Sequence, residues 1–434
     1  MRNLRLYKTD IEFKTYEEFC GGDGLSTKSI VPGVSMSNDI KKRYFNPKNE
    51  VVLFHEITIN YKDKRGNTLA PSTTKRVKYI SGVTSEIVLT PKNVEGFEMV
   101  EAYKTVQIPE DTVVNFIYDK EYTKEDPLTF EVLSDGVIRW EAQSTAYTTT
   151  IEYRKNIGEW TSITSATGDS APSISVAAGD IVQFRGDNAR YATNTSYYNT
   201  FSGTTCQFKV YGNIMSLIDS EGFSTATTLA SYYTFYCLFY YCTSLTSAEN
   251  LILPATTLAS YCYGSMFQGC TSLTQAPALP ATTLTERCYQ TMFQGCTNLT
   301  SAPVLPATTL ATYCYYNMFN GCTNLTSAPA LPATTLASFC YGSMFNGCTS
   351  LTTAPVLPAT TLTERCYYCM FSGCTNLNYI KCLATNISAS YSHQYWANGV
   401  QTTSGTFVKA AGISESTWGR GVSGIPNNWT VQDA

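Results

Sequence analysis

Apolar and polar residues alternate with a period of two in two blocks of the chain. In the first, VVLFHEITINY, TKRVKYI, SEIVLT, FEMVEAY and VVNFIYD follow one another between residues 51 and 122, with turn residues such as Arg65-Gly66-Asn67 between them. Such runs bury one face and wet the other, which predicts a small β-domain over 51–124. In the second, LTFEVL, GVIRWEA, TTTIEYRK, GEWTSIT, SISVAAGDIVQFRG and CQFKVYG run from Leu128 to about Val210, separated by Gly, Asp, Asn and Ser. They predict a β-sandwich over 125–215. Trp140 and Trp160 are expected in its core or at the core edge.

Beyond Val210 the period changes. A 26-residue unit starts at Leu253, Leu279, Leu305, Leu331 and Leu357, each time reading LPATTL, three variable residues, CY, two variable residues, MF, one variable residue and GCT. A degenerate earlier copy runs from Ala226 through Leu229, Cys237, Phe239, Cys242 and Leu245, and is expected to cap the array. A unit this short can bury its apolar side only against its neighbours, so the repeats predict stacked coils with one core, a solenoid over 216–385. Helix-like spacing in CYxxMFxGC predicts a short helix or 3₁₀ turn, stopped by Gly269, Gly295, Gly321, Gly347 and Gly373. TxLTxAPxLP is expected to be extended, with Pro280, Pro306, Pro332 and Pro358 stiffening the turn as the chain leaves it. About six coils at roughly 5 Å each would give a rod on the order of 30 Å long. The tail, 386–434, carries Trp396, Trp418 and Trp429 and is expected to cap the far end.

The repeat, with its MF pair, its G-C and the leucine and proline that follow, resembles the BspA-type leucine-rich repeats of gut bacteria and their phages over about residues 220–385. The resemblance implies adhesion to protein or glycan at cell surfaces, without catalysis. The order ITINYKDKRGNTLAPS, VEGFEMVEA and DTVVNFIYDK resembles the mucin-binding-protein repeat, with Phe97 after Gly96 where that family has Tyr, and Phe116 and Tyr118 in the closing strand. It implies a β-grasp-like module acting as a spacer. The second block resembles an immunoglobulin or fibronectin-type module. LRLYKTDIEF and SIVPGVSMSNDIKKRYFNPKN resemble short segments that precede fibre-like proteins in phages of gut Bacteroidales, including the crAss-like group. That implies that residues 1–50 dock onto other virion structural proteins. The expected fold class is therefore mainly β and multidomain: a β-grasp-like module, an Ig-like β-sandwich, then a leucine-rich-repeat solenoid of 26-residue coils.

Composition narrows the function. The 434 residues are 43% hydrophobic and 15% charged, which argues against wholesale disorder. A formal charge of −4 supplies no basic face for nucleic acid. No run of apolar residues is long enough to span a membrane, and MRNLRLYKTDIEF lacks the apolar core of a secretion signal. Residues 1–126 hold 38 of the 64 charged side chains, whereas Leu251–Cys374 holds only Glu286, Arg287, Glu364 and Arg365. The sixteen cysteines are expected to be reduced and mostly buried.

Motifs that suggest chemistry have structural explanations. LPATT resembles a sorting signal, but it recurs five times, ends in Thr and lacks the apolar tail. Cys366-Tyr-Tyr-Cys369 has redox spacing, yet Cys366 is the repeat cysteine. The columns beginning at Cys262 and Cys270 pair at eight residues with no His nearby, which does not suit zinc. Gly419, Gly421 and Gly424 spell GxGxxG, but Ile-Pro follows where a dinucleotide site needs a helix. His55 and His393 are the chain's two histidines, and Glu17-Glu18 and Glu125-Asp126 sit in charged stretches, so neither a triad nor a sugar-cleaving pair is assembled. The expectation is a protein without enzymatic activity, cofactor or metal.

Two functions fit. One is a bacteriophage head or tail fibre or decoration protein, assembled in the host cytoplasm and exposed on the virion exterior. It would be docked by residues 1–50, be a trimer or dimer, and adhere through its distal solenoid to bacterial-surface or mucus glycans or proteins. The alternative is a bacterial cell-surface leucine-rich-repeat adhesin, which needs an export signal. In either case specificity should sit at variable repeat positions, and the candidate ligand contacts are Ser260, Tyr261, Glu286, Arg287, Gln290, Tyr313, Tyr316, Asn317, Phe339, Glu364, Arg365 and Tyr368. Neither nucleic acid nor membrane is an expected partner.

Overall fold

A computed structural model describes residues 52–63, 68–80, 84–94, 97–108, 110–120, 122–400 and 403–434. The expected docking segment 1–50, the turn Arg65-Gly66-Asn67, and Gly96 lie outside the described residues. The chain is mainly β with almost no helix, and divides into two compact units, Met1–Glu121 and Tyr122–Ala434.

In the first unit β1 (Val52–Asp63) pairs antiparallel with β2 (Thr68–Ile80) and parallel with β6 (Val113–Lys120), and β4 (Phe97–Met99) closes the order β2-β1-β6-β4. A separate antiparallel pair joins β3 (Ser85–Leu89) to β5 (Lys104–Ile108). The alternation in β1 does what the sequence predicts: Ile57, Ile59 and Tyr61 turn inward onto Leu89, Val106, Ile108, Val114 and Phe116. His55 lies on the same inward face, and its Nε2 is 2.7 Å from the carbonyl oxygen of Asp111, a structural role.

The second unit begins with a sheet of order β11-β10-β13-β7-β15-β16. Its members are β7 (Leu128–Val132), β10 (Thr150–Lys155), β11 (Thr161–Thr164), β13 (Ile181–Arg185), β15 (Phe208–Asn213) and β16 (Leu245–Ser247). A smaller pair, β8 (Gly136–Arg139) with β12 (Ser173–Val176), sends Ile138, Ile174 and Val176 into the same core. Trp140 is fully buried there, its Nε1 donating to the Thr149 carbonyl at 3.1 Å, whereas Trp160 is half-buried beneath the guanidiniums of Arg154 and Arg185.

β15 is the joint of the architecture. On one side it pairs antiparallel with β7; on the other it pairs parallel with β16 and with β17 (Leu251–Ile252), which belong to the first coil. The segments 125–215, 216–385 and 386–434 consequently share one hydrophobic core, running from Leu128 to Trp429.

Each coil stacks on the next through a regular division of backbone donors. In Leu253–Ala278 the N–H groups of Tyr261, Tyr263, Ser265, Phe267 and Gly269 donate to carbonyls of the next coil, Glu286, Cys288, Gln290, Met292 and Gln294. The intervening N–H groups of Cys262, Gly264, Met266, Gln268 and Cys270 donate three residues back within their own coil. The expected helix or 3₁₀ turn is therefore replaced by a chain of single turns. The cause is visible in the dihedrals: every fourth residue, Tyr261, Ser265 and Gly269, has φ of 60°, 53° and 75°, and the same positions repeat this in later coils. A helix would spend every N–H on itself, whereas stacking needs half of them aimed along the pile. The left-handed residues release them, at a cost of roughly 1–2 kcal/mol each where they carry a side chain.

The fixed residues fill the interior. Leu253, Ala255, Leu258, Cys262, Tyr263, Met266, Phe267, Cys270 and Leu273 are all buried, as are their counterparts in later coils. Phe239, Phe267, Phe293, Phe319, Phe345 and Phe371 stack at 5.4–5.9 Å with planes within 7° of parallel. The ladder begins earlier than the repeat does, at Phe201 of the preceding segment, 5.6 Å from Phe239. The degenerate copy at Ala226 is thus an inner coil, and residues around Tyr191–Tyr211 seat it.

The tail also differs from expectation, since it prolongs the stack before closing it. Tyr391, Tyr395 and Gly399 repeat the left-handed pattern, and the strands Tyr379–Cys382, Thr406–Lys409 and Thr430–Asp433 pair in parallel in that order. Trp396 receives the end of the aromatic columns, from Tyr367 and Phe371, and anchors its Nε1 on the Gly424 carbonyl. Gly419 and Gly421, with φ of 66° and 115°, form a turn after the single helical turn Glu415–Trp418.

Candidate binding surface

Because each coil repeats its predecessor's path, equal positions form columns along the stack. One column consists of the first left-handed residue of each coil: Tyr233, Tyr261, Arg287, Tyr313, Phe339, Arg365 and Tyr391. Their side chains form an unbroken ladder. Tyr233 stacks on Tyr261 at 4.5 Å; the Arg287 guanidinium lies 5.2 Å from the Tyr261 ring and 4.5 Å from the Tyr313 ring. Tyr313 stacks on Phe339 at 4.4 Å, and Arg365 lies 5.1 Å from Phe339 and 4.9 Å from Tyr391. Each guanidinium between two aromatic faces gains about 0.5–1 kcal/mol per contact.

The ring faces are spent on one another, so the flank presents ring edges, hydroxyls and guanidinium N–H groups. Arg287 and Arg365 keep 30% and 37% of their side-chain surface, and sit 3.5 and 3.6 Å from Glu286 and Glu364. Arg287 also donates to the Tyr261 hydroxyl, while its Nε is buried without a partner. Partial burial disfavours the charged form of Arg287, but Tyr261, Glu286 and Tyr313 together outweigh it, and the pKa is raised.

The sequence-selected residues fall on neighbouring columns of this flank. Tyr261, Arg287, Tyr313, Phe339 and Arg365 meet in the ladder itself. Ser260, Glu286 and Glu364 precede it by one residue, and their carbonyls accept the N–H of Tyr233, Tyr261 and Phe339. Gln290, Tyr316 and Tyr368 share the column of Gly264 and Gly342; Tyr316 lies so close over Gly342 that a Cβ there would stand 2.9 Å from its ring. Asn317 occupies the second left-handed position and accepts a hydrogen bond from Asn320 at 3.2 Å.

Sequence reasoning missed Tyr233, Tyr236, Tyr391 and Tyr395. The signal was present for Tyr391, since Ala389-Ser390-Tyr391 with Gly399 repeats the spacing of Ala259-Ser260-Tyr261 with Gly269. It missed a second surface as well. Every coil from Thr227-Thr228 to Thr360-Thr361 presents an exposed pair of threonines, uncharged and in register. A shallow apolar groove between Pro329, Leu331, Pro355 and Val356 lies on the proline edge.

The thiols belong to the interior. Among the described residues all cysteines are unpaired and all but Cys369 are buried. Cys270, Cys296, Cys322, Cys348 and Cys374 donate their S–H to a phenylalanine carbonyl of an earlier coil, at 3.0–3.1 Å. Burial pushes Cys288 and Cys374 up to about 12, away from the thiolate that metal binding and nucleophilic chemistry need. Among the described residues no cluster of three or more His, Cys, Asp or Glu could hold a metal ion, and no helix is long and apolar enough to cross a membrane. Comparison with known family models, curated proteins and solved structures gives no match.

Proposed function

We propose that the chain is a fibre or decoration protein of a bacteriophage particle, adhering through the flank of its coils to glycan or protein on a bacterial surface or in mucus. In this reading the first unit is a β-grasp-like spacer of the mucin-binding-protein type. Residues 125–215 are an Ig-like sandwich, 216–385 a BspA-type leucine-rich-repeat solenoid, and 1–50 the attachment to other virion proteins. The role is binding, without catalysis.

One observation carries the reading. The constant Leu, Cys, Tyr, Met and Phe positions of each coil are interior and the exposed threonine pair is uniform in chemistry, whereas positions that vary in chemistry gather in the half-exposed column Tyr233–Tyr391 and its neighbours. Tyrosine and arginine there combine large contact area with directional hydrogen bonds, the composition of recognition surfaces.

Particles purified from a culture that produces the chain provide the test, by peptide mass spectrometry and by gold labelling with antibody against the coils. Labelled projections on particles support the reading. Recovery of the chain in the bacterial envelope fraction, with unlabelled particles, replaces it with the cell-surface adhesin.

A further inference from the structure

The coils carry a second, longer period. ASYCYGSMFQGCTSLT at 259–274 returns as ASFCYGSMFNGCTSLT at 337–352, and TLTERCY at 283–289 returns at 361–367, in both cases three coils later. The structure duplicates the geometry along with the residues. Tyr233 meets Tyr236 edge-on at 5.4 Å, as Tyr313 meets Tyr316 at 5.3 Å. Tyr236 lies over Gly264, and Tyr316 over Gly342, where an added Cβ would be 3.0 and 2.9 Å from the ring. Tyr233 stacks on Tyr261 as Tyr313 stacks on Phe339, and the arginine of the next coil closes each group, with its glutamate at 3.5 or 3.6 Å.

We infer that the flank holds two equivalent subsites, one centred on Arg287 and Glu286 and the other on Arg365 and Glu364, which together take a linear neutral glycan of repeating sugar units. This rests on the adhesive reading above. The two subsites are related by translation along the stack, three coils or about 14 Å at ~4.8 Å per stacked strand. A ligand that satisfies both must itself repeat by translation, as an extended polysaccharide does and a folded protein surface does not. Each subsite offers guanidinium donors beside a carboxylate acceptor, flanked by tyrosine edges, which matches neighbouring sugar hydroxyls that donate and accept together. The glutamate beside each arginine offsets its charge and repels an anionic sugar. Linking two such contacts in one ligand raises affinity by about 100-fold or more when the ligand spans both.

The experiment is calorimetric titration of the full chain with linear gluco-, manno- and xylo-oligosaccharides from disaccharide to octasaccharide, and with an acidic polymer, polygalacturonate. The expected result is weak binding of short neutral oligomers and a rise of about 100-fold once the oligomer spans both subsites. R287A or R365A alone removes the rise and keeps the weak binding; E286Q with E364Q, at exposed positions that leave folding intact, weakens oligomers of every length. Length-independent affinity, preference for polygalacturonate, no binding of any neutral oligomer, or unchanged binding by R287A/R365A overturns the inference. Cell adhesion separates the two levels: if the full chain and R287A/R365A bind bacteria equally, the subsites fail and the adhesive reading stands; if neither binds bacteria while the length-dependent rise persists, the adhesive reading fails and the subsites stand.

Discussion

The rings of Phe267 and Phe293 lie 5.5 Å apart with their planes 2° from parallel, so a side chain one coil downstream repeats not only the position but the orientation of its predecessor. That relationship makes the interior a set of columns. A defect in one column is felt by the coils on both sides.

Phe293→Ala should therefore destabilise the second unit by about 3–5 kcal/mol, the range for a buried aromatic whose cavity stays open, because stacked neighbours held by backbone ladders cannot collapse into it. Phe293→Leu should cost less than half as much. Urea unfolding followed by circular dichroism measures both.

Two buried tyrosines should respond oppositely to loss of the hydroxyl. Tyr191 donates to the Leu217 carbonyl at 2.6 Å and accepts from Asn188 at 3.1 Å, so Tyr191→Phe should cost about 1–2 kcal/mol. The Tyr263 hydroxyl is buried without a partner, so Tyr263→Phe should be neutral or stabilising by up to about 1 kcal/mol. Thermal melts of the two variants under identical conditions give the comparison.

Thiol labelling should single out one position. Of the fifteen described cysteines only Cys369 is partly exposed. Brief treatment of the native chain with iodoacetamide, followed by peptide mapping, should mark Cys369 and spare Cys262, Cys288 and the other interior thiols, whose pKa burial raises. Labelling of the interior column at rates near that of Cys369 would mean that the coils open readily.

The closing end should be acid-sensitive. His393 packs 5.2 Å from Trp418 and 6.0 Å from Trp396, and burial holds its pKa below the ordinary 6.5. The unfolded chain then binds a proton more readily than the folded one. This contribution to stability is complete above the unfolded value and is lost as pH falls through 6.5 towards the lower folded value. His393→Phe should flatten that part of the stability profile, measured as melting temperature between about pH 7 and pH 5.

Periodicity made most of the fold legible. The runs now seen as β7 and β10 stand out because their apolar residues alternate strictly, those of β1 and β13 because they alternate after an apolar start, and the coils because LPATTL returns at a constant interval. What sequence spacing could not reveal was backbone conformation: CYxxMFxGC has helical spacing, yet left-handed residues at Tyr261 and Ser265 redirect every second N–H to the next coil. Nor could it show where the stack begins, since Phe201 continues the phenylalanine column from a segment outside the repeat. The candidate surface was half legible. Variable positions pointed to Tyr261, Arg287 and Tyr313, while Tyr233 sits in a coil shifted by an inserted residue and Tyr391 in one that keeps the Ala-Ser-Tyr and Gly spacing but has lost the LPATTL and GCT motifs.

Removing one complete coil, Leu305–Ala330, tests the shared interior most directly, because every column then closes up by one step with Phe293 meeting Phe345 and Arg287 meeting Phe339. The shortened chain should keep the parent circular-dichroism spectrum and unfold in urea in one transition seen alike at buried Trp140 and Trp396, while removal of half a coil should abolish folding. An unfolded product from the whole-coil deletion, or separate transitions at the two tryptophans, would contradict a shared interior.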